Sequence, residues 1–158
     1  MSEEVFQRIE RLLTSRAIEH RVLRHAPVFT SAEAATVRGA ELASGAKALI
    51  CKADGQFVFF VLPADRKLAS KAVRGSRGWK SFRFADRDEV LQLTGLTPGA
   101  IPPFGSLFGL QTLCDARLAE QATIHFNAGD HAISISMSCA DYLSVEQPEL
   151  GSFAESIN

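Results

Sequence analysis

Three groups of residues could carry chemistry. From Arg66 to Arg83 the chain holds Arg66, Lys67, Lys71, Arg74, Arg77, Lys80 and Arg83 with no acid among them. Such a run can neutralise several phosphates, with Trp79 stacking on a base or merely anchoring the segment; a solvated helix face and loop explains the same composition. Lys47 lies inside the apolar run AKALIC. A buried ammonium is costly unless it meets an anion or a cleft, so this lysine either lines a site or alternates outward into solvent as Lys52 does. His125 and His131 flank an FNAGD stretch and, with its Asp130, offer imidazole and carboxylate groups. A metal site there would need further ligands that do not occur at a known spacing, and Asn, Gly and Asp are explained as turn formers.

Other chemistries lack their signatures. There is no GxSxG elbow, no phosphate-binding loop and no dinucleotide fingerprint, so no cofactor is expected. Cys51, Cys114 and Cys139 are odd in number and far apart, with no CxxC pair, which argues against a disulfide framework, a structural zinc or a nucleophilic cysteine.

The elements that must position these groups follow from periodicity. Ser2 can cap a helix with Glu3 and Glu4 in its first turn and Val5, Phe6, Ile9, Leu12 and Leu13 on one face. A strand over 20–24 ends before Pro27, and a small-residue helix opens at Thr30 or Ser31 and stops at Gly39. Runs 46–51 and 57–62 around Asp54-Gly55 read as a β-hairpin at the centre of the sheet, its second strand buried on both faces. A helix is predicted over 66–73, a loop over 75–78, a strand over 81–84 and a helix from Asp86 to Gly95. Residues 97–109, with three prolines and three glycines, form a shaped loop. Strands over 110–113, 122–126 and 132–137 follow, then a short helix capped by Ser138 and a loose polar tail over 146–158. Strands and helices alternate irregularly, which predicts a mixed α+β fold: a central, mixed, barrel-like β-sheet surrounded by helices.

Composition sets the bounds. The 158 residues, 46% hydrophobic and 22% charged, predict a single domain spanning 1–158. A net charge of -1 means that nucleic acid must be met by a local patch. The acidic N-terminus and the lack of a long apolar run predict a cytoplasmic protein with no membrane partner.

Five segments in order resemble the YbaK family, which includes the freestanding prolyl-tRNA-synthetase-associated editing domains: RHAPVFTSAEAA, GAKALICK, LPADRKL, TGLTPGAIPPFG and FNAGDHAISISMSCADYL. The most specific pieces are Lys47 before its apolar strand and the GxxxP loop matched by Gly99 to Pro103. The resemblance implies a deacylase acting in trans on the ester of mischarged aminoacyl-tRNA, charged with a small amino acid such as Ala, Ser, Thr or Cys. It implies no metal and no cofactor, and assistance from the ribose 2′-hydroxyl in place of a side-chain base. Aminoacyl-tRNA is the implied partner through its acceptor end, an aminoacyl-tRNA synthetase a second one, and DNA none.

By the same resemblance Lys47 and Gly99 are the catalytic positions. His25, Phe29, Thr30, Leu68, Pro102, Pro103, Asn127, Gly129 and His131 are the substrate-binding positions, with His125 and Asp130 as further residues near the terminal adenosine. Arg66, Lys67, Lys71, Arg74, Arg77 and Lys80 would grip the tRNA. Members with a histidine-proline pair near His125 differ from this chain. A module of the same fold that binds tRNA or a synthetase without turnover is the competing reading.

Overall fold

The computed structural model describes residues 2–157 of the chain. Helix α1 (Ser2–Ser15) buries Val5, Phe6, Ile9 and Leu13 on one face, as their spacing requires. The cap expected of the Ser2 side chain lies outside the described residues. After strand β1 (His20–Arg24), helix α2 (Ser31–Arg38) begins with a capping box. The Thr30 hydroxyl accepts the Glu33 N–H, and the Glu33 carboxylate accepts those of Phe29 and Thr30.

Strands β2 (Ala46–Ala53) and β3 (Gln56–Pro63) pair antiparallel around Asp54-Gly55, with Lys47 opposite Leu62. Strand β3 is buried on both faces. Phe59 and Val61 belong to one apolar core with α1, while Phe60 and Leu62 belong to a second with Val73, Leu113 and Phe153. The hairpin therefore forms the partition between two cores.

The segment expected as a helix over 66–73 begins instead as strand β4 (Arg66–Leu68), and helix α3 runs over Ser70–Arg77, taking in Gly75 from the expected loop. The physical reason is a partner far away in sequence. Strand β10 (Ala154–Ser156) pairs with β4, Ala154 opposite Leu68. Strand β5 (Phe82–Phe84) and helix α4 (Arg87–Thr94), capped by Asp86, follow as expected. Strand β6 (Thr112–Asp115) starts two residues later than the apolar run suggests. Then come β7 (Thr123–Asn127), β8 (Ile133–Ser138), α5 (Cys139–Glu146) with its Ser138 cap, and β9 (Glu149–Gly151).

Over its described residues, 146–157, the tail is not loose. The buried Asp115 carboxylate accepts the N–H groups of Phe153 and Ala154, both at 2.8 Å, and Phe153 packs edge-on against Phe60 at 5.6 Å between ring centroids. Two apolar residues and one acid tie down a stretch whose composition reads as polar.

The strands form mixed sheets on an α+β plan. A five-stranded sheet has the order β5-β2-β3-β6-β9, with the β3–β6 and β6–β9 pairs parallel. A three-stranded antiparallel sheet has the order β1-β8-β7, and a parallel bridge from Gly45 to His125 joins the two at the start of β2. No helix among the described residues is long and apolar enough to cross a membrane.

Candidate active site

Where the two larger sheets meet, a cavity of about 170 Å³ opens between α2, the start of β2 and the loop at Gly99. Small residues make its volume. Gly45, Ala46, Ala48 and Ala64 line it, and a Cβ on Gly45 would lie 2.9 Å from the Ala64 Cβ, so only glycine fits there. Lys47 rises from this floor, half-buried, with no hydrogen bond or ion pair to any described residue. Burial lowers its pKa from the ordinary lysine value, opposed by the charge of Asp65. Lys47 thus lines the cavity.

The opposite wall is the Gly99 loop. Gly99 has φ +91°, in the region that L side chains rarely adopt, and a Cβ there would meet His131 Cε1 at 3.1 Å. Its carbonyl accepts a 2.8 Å bond from the Asn127 amide. Neither the Gly99 nor the Ile101 N–H is taken by an acceptor among the described residues. His131 Nδ1 lies 3.1 Å from the Val28 carbonyl, which can only accept, so the proton sits on Nδ1 and Nε2 accepts from the Thr97 hydroxyl at 3.1 Å. The Phe29 ring, 74% exposed, lies against His131 with centroids 4.8 Å apart and forms the mouth.

Arg38, the last residue of α2, was no candidate in the sequence, yet it ties the walls together. Its Nε donates to Ser134 Oγ at 2.9 Å and its Nη2 to Asn127 Oδ1 at 2.9 Å. Ser134 in turn donates to His25 Nε2 at 2.8 Å, because His25 Nδ1 faces the Ala26 carbonyl. A chain of bonds therefore runs from His25 through Ser134, Arg38 and Asn127 to the Gly99 carbonyl. Burial alone brings the Arg38 pKa down to about 10. The signal that could have found it was a basic residue closing a helix made mostly of small side chains.

The structure thus brings Lys47, Gly99, Phe29, Thr30, Asn127 and His131 to one cavity, with His25 one hydrogen bond behind. It does not bring the other expected substrate-binding residues to that wall. Leu68 points into the second core, because its strand pairs with β10. Pro102 and Pro103 are buried behind the loop, where the Tyr142 hydroxyl donates to the Pro103 carbonyl at 2.6 Å. Gly129 lines a neighbouring cavity with Asp130 and His131, its N–H bonded to the Ala100 carbonyl. His125 is held by Ser44, and its pKa is lowered by burial and by the charge of Arg38. Among the described residues no group of three or more His, Cys, Asp or Glu gathers as metal ligands would.

The three cysteines are buried, and burial pushes the thiols of Cys51 and Cys114 up to about 12 and raises that of Cys139, so none is a ready nucleophile. What remains at the lining of one small cavity is a cation and a loop with two backbone N–H groups that no described residue accepts, groups of the kind that can receive an oxyanion.

In the cationic stretch, Arg66 lies on β4 in a shallow cleft with Asp65 and Arg117, and Lys67, Lys71 and Lys80 are exposed. Arg74 donates to the carbonyls of Trp79 and Lys80, while Arg77 pairs with Glu149 and lies over the Phe153 ring at 5.6 Å. Trp79 stacks on Phe82 at 5.3 Å against the second core, an anchoring contact.

Comparison with known proteins puts these features in context. Residues 25–145 match the family model of the aminoacyl-tRNA editing domain. The multifunctional Ser/Thr-tRNA deacylase ProXp-y of Escherichia coli (strain K12) is 37% identical over 152 residues, covering 93% of this chain and 91% of that protein. A proline--tRNA ligase of Trichlorobacter lovleyi is 30% identical over 102 residues, which is 64% of this chain and 18% of the ligase. A solved structure described as a candidate trans-editing enzyme for prolyl tRNA synthetase shares the fold, with a TM-score of 0.84 at 21% identity over 96% of this chain and 98% of that one.

Proposed function

The chain belongs to the aminoacyl-tRNA editing domain family, and from that premise we propose that it is a deacylase acting in trans on mischarged tRNA carrying a small amino acid such as Ala, Ser, Thr or Cys. The observation that carries this reading is Lys47, an ammonium without a protein partner among the described residues, in the cavity that Gly99 bounds. The activity on Ser- and Thr-tRNA for which the Escherichia coli relative is named supports the choice of small side chains.

In this reading the esterified 3′ end of the tRNA enters past Phe29. A water oxygen adds to the ester carbonyl carbon, and the negative charge that develops on the carbonyl oxygen is met by Lys47 and by the N–H groups of Gly99 and Ile101. The bond to the ribose oxygen then breaks and that oxygen takes the proton that the added water gives up, leaving free amino acid and uncharged tRNA. An ester has a good leaving group, so holding the water and the oxyanion suffices without a nucleophilic side chain. The ribose 2′-hydroxyl orders the water, and no metal takes part. Asn127 and His131 fix the loop, and Thr30 stands at the amino-acid end. The walls exclude bulky side chains by size, and discrimination of one methylene reaches only about 10- to 200-fold, so activity on several small amino acids is expected. Lys67, Lys71 and Lys80, with Arg66, Arg74 and Arg77, hold the acceptor stem.

The test is release of radiolabelled amino acid from a panel of tRNAs charged with Ala, Ser, Thr, Cys or Pro, using wild-type protein and Lys47→Ala. Lysine-dependent release of one or a few small amino acids supports the reading. Tight binding of the panel without release from any member refutes it in favour of a non-catalytic tRNA- or synthetase-binding module.

A further inference from the structure

Among the described residues Arg38 alone lines both the Lys47 cavity and a second one of about 130 Å³. The second cavity lies on the three-stranded sheet. Pairing sets Arg21 opposite Ser136 and Ser136 opposite His125, with Leu23 opposite Ser134 and Ser134 opposite Asn127. These residues alternate with Ile133, Ile135 and Met137, which are buried in the core, so they share the outward face. Along that face a polar stripe leads from Asn127, in the first cavity, to Arg21, His125 and Ser136, in the second.

The electrostatics of this stripe are unbalanced. Two nitrogens of the Arg38 guanidinium go to neutral acceptors, Ser134 and Asn127, and no carboxylate pairs with the group among the described residues. Its third nitrogen, Nη1, has no acceptor among them. A largely buried cation without a counter-ion is unfavourable for the empty protein and favourable for a ligand that brings an anion. Arg21, exposed at the rim, adds a second cation, and the half-buried Ser136 hydroxyl has no partner among the described residues. None of the described residues lining this cavity is an acid.

We infer that the second cavity binds the phosphate that joins the terminal nucleotide of the tRNA to the one before it, with Arg38 and Arg21 as its ligands. The inference rests on the deacylase reading. Once esterified, the amino acid has no carboxylate, so the nearest anion of such a substrate is this phosphate, one ribose away from the reacting ester. Guanidinium groups suit it because their forked donors match phosphate oxygens. Arg38 then has two tasks: through Asn127 it positions the Gly99 loop, and through its uncompensated guanidinium charge it reads the substrate's charge, so the loop is braced by the same residue that senses a nucleotide.

The test compares two substrates that differ by one group, 2′(3′)-O-seryl-adenosine and the same compound bearing a 5′-phosphate methyl ester, with spontaneous hydrolysis subtracted. Wild-type protein should show a kcat/KM roughly ten- to a hundredfold higher for the phosphorylated compound, the range for a charge-assisted hydrogen bond. Arg38→Met should erase most of that preference. Because Arg38→Met also disturbs Asn127, Arg21→Ser serves as a second variant at an exposed position, expected to reduce the preference severalfold. A wild type that hydrolyses both compounds equally well overturns the phosphate site while leaving the deacylase reading intact. Equal losses on both compounds in Arg38→Met, with Arg21→Ser like wild type, assign Arg38 a loop-holding role only and also overturn it. Hydrolysis of neither compound, nor of any charged tRNA, removes the deacylase reading and this inference with it.

Discussion

Replacing Lys47 by methionine should separate activity from stability. The ammonium makes no hydrogen bond or ion pair with the described protein, so its removal orphans no partner; Asp65, whose charge opposes the lowering of the lysine pKa, loses only a distant attraction. Burial disfavours the charged form in the folded state, so at neutral pH the charge works against folding, and methionine fills the same space without that cost. The melting temperature of Lys47→Met should equal or slightly exceed that of the wild type. In the proposed mechanism the expected catalytic loss is large by contrast. A unit charge about 4 Å from a developing oxyanion, at an effective dielectric of roughly 20, is worth about 4 kcal/mol, and the partial exposure of Lys47 reduces this to about 3 kcal/mol. That corresponds to a fall of about 10²-fold in the rate constant, near the cost of removing one oxyanion donor elsewhere.

Single-turnover deacylation at saturating enzyme, with circular dichroism melting on the same samples, reads both quantities. Only the ammonium form can stabilise the oxyanion, so the enzyme-dependent rate should decline as pH rises through the Lys47 pKa, which lies below that of an ordinary lysine. In Lys47→Arg the charge persists over that range and the decline should vanish. A Lys47→Met protein that is folded and within threefold of the wild-type rate would refute the reasoning.

Three further outcomes are expected. Gly99→Ala places a Cβ 3.1 Å from His131 Cε1 at a backbone angle that costs about 1–3 kcal/mol, so kcat/KM should fall about tenfold or more; a wild-type value would mean that the loop does not shape the site. Reversing the charge of Lys67, Lys71 and Lys80 together should flatten the salt dependence of tRNA binding by about 0.7–0.9 in slope for each phosphate left unneutralised, and an unchanged slope would move the tRNA elsewhere on the surface. Asp115→Ala orphans the N–H groups of Arg117, Phe153 and Ala154 at about 1–3 kcal/mol for each that stays dry. The melting temperature should drop by several degrees with faster proteolysis after residue 147, and a protein as stable as wild type would show that Asp115 does not anchor the C-terminal strands.

Lys47 shows how much of the site was legible in the sequence. An ammonium amid AKALIC is anomalous in one dimension, and so is the glycine and proline pattern that shapes the Gly99 loop. The sequence likewise determined the local elements: the α1 stripe, the capping boxes at Thr30 and Asp86, and the Asp54-Gly55 hairpin with its doubly buried second strand. Each of these depends on interactions within a few residues, so spacing records it.

What spacing does not record is pairing across the chain. Strand β4 pairs with β10 from 86 positions later at the Ala154–Leu68 pair, and that pairing makes a strand of the start of an expected helix, joins Asp115 in holding a tail that reads as loose, and turns Leu68 away from the cavity. Arg38 reads locally as a basic helix end. Only the approach of Ser134, 96 residues on, and of Asn127, 89 residues on, makes it the brace of the site. The sequence by itself determined which residues were out of place in their local surroundings. The tertiary structure alone decided which of them share a cavity, because burial, counter-charge and hydrogen-bond partnership are properties of neighbours in space that the chain brings together only on folding.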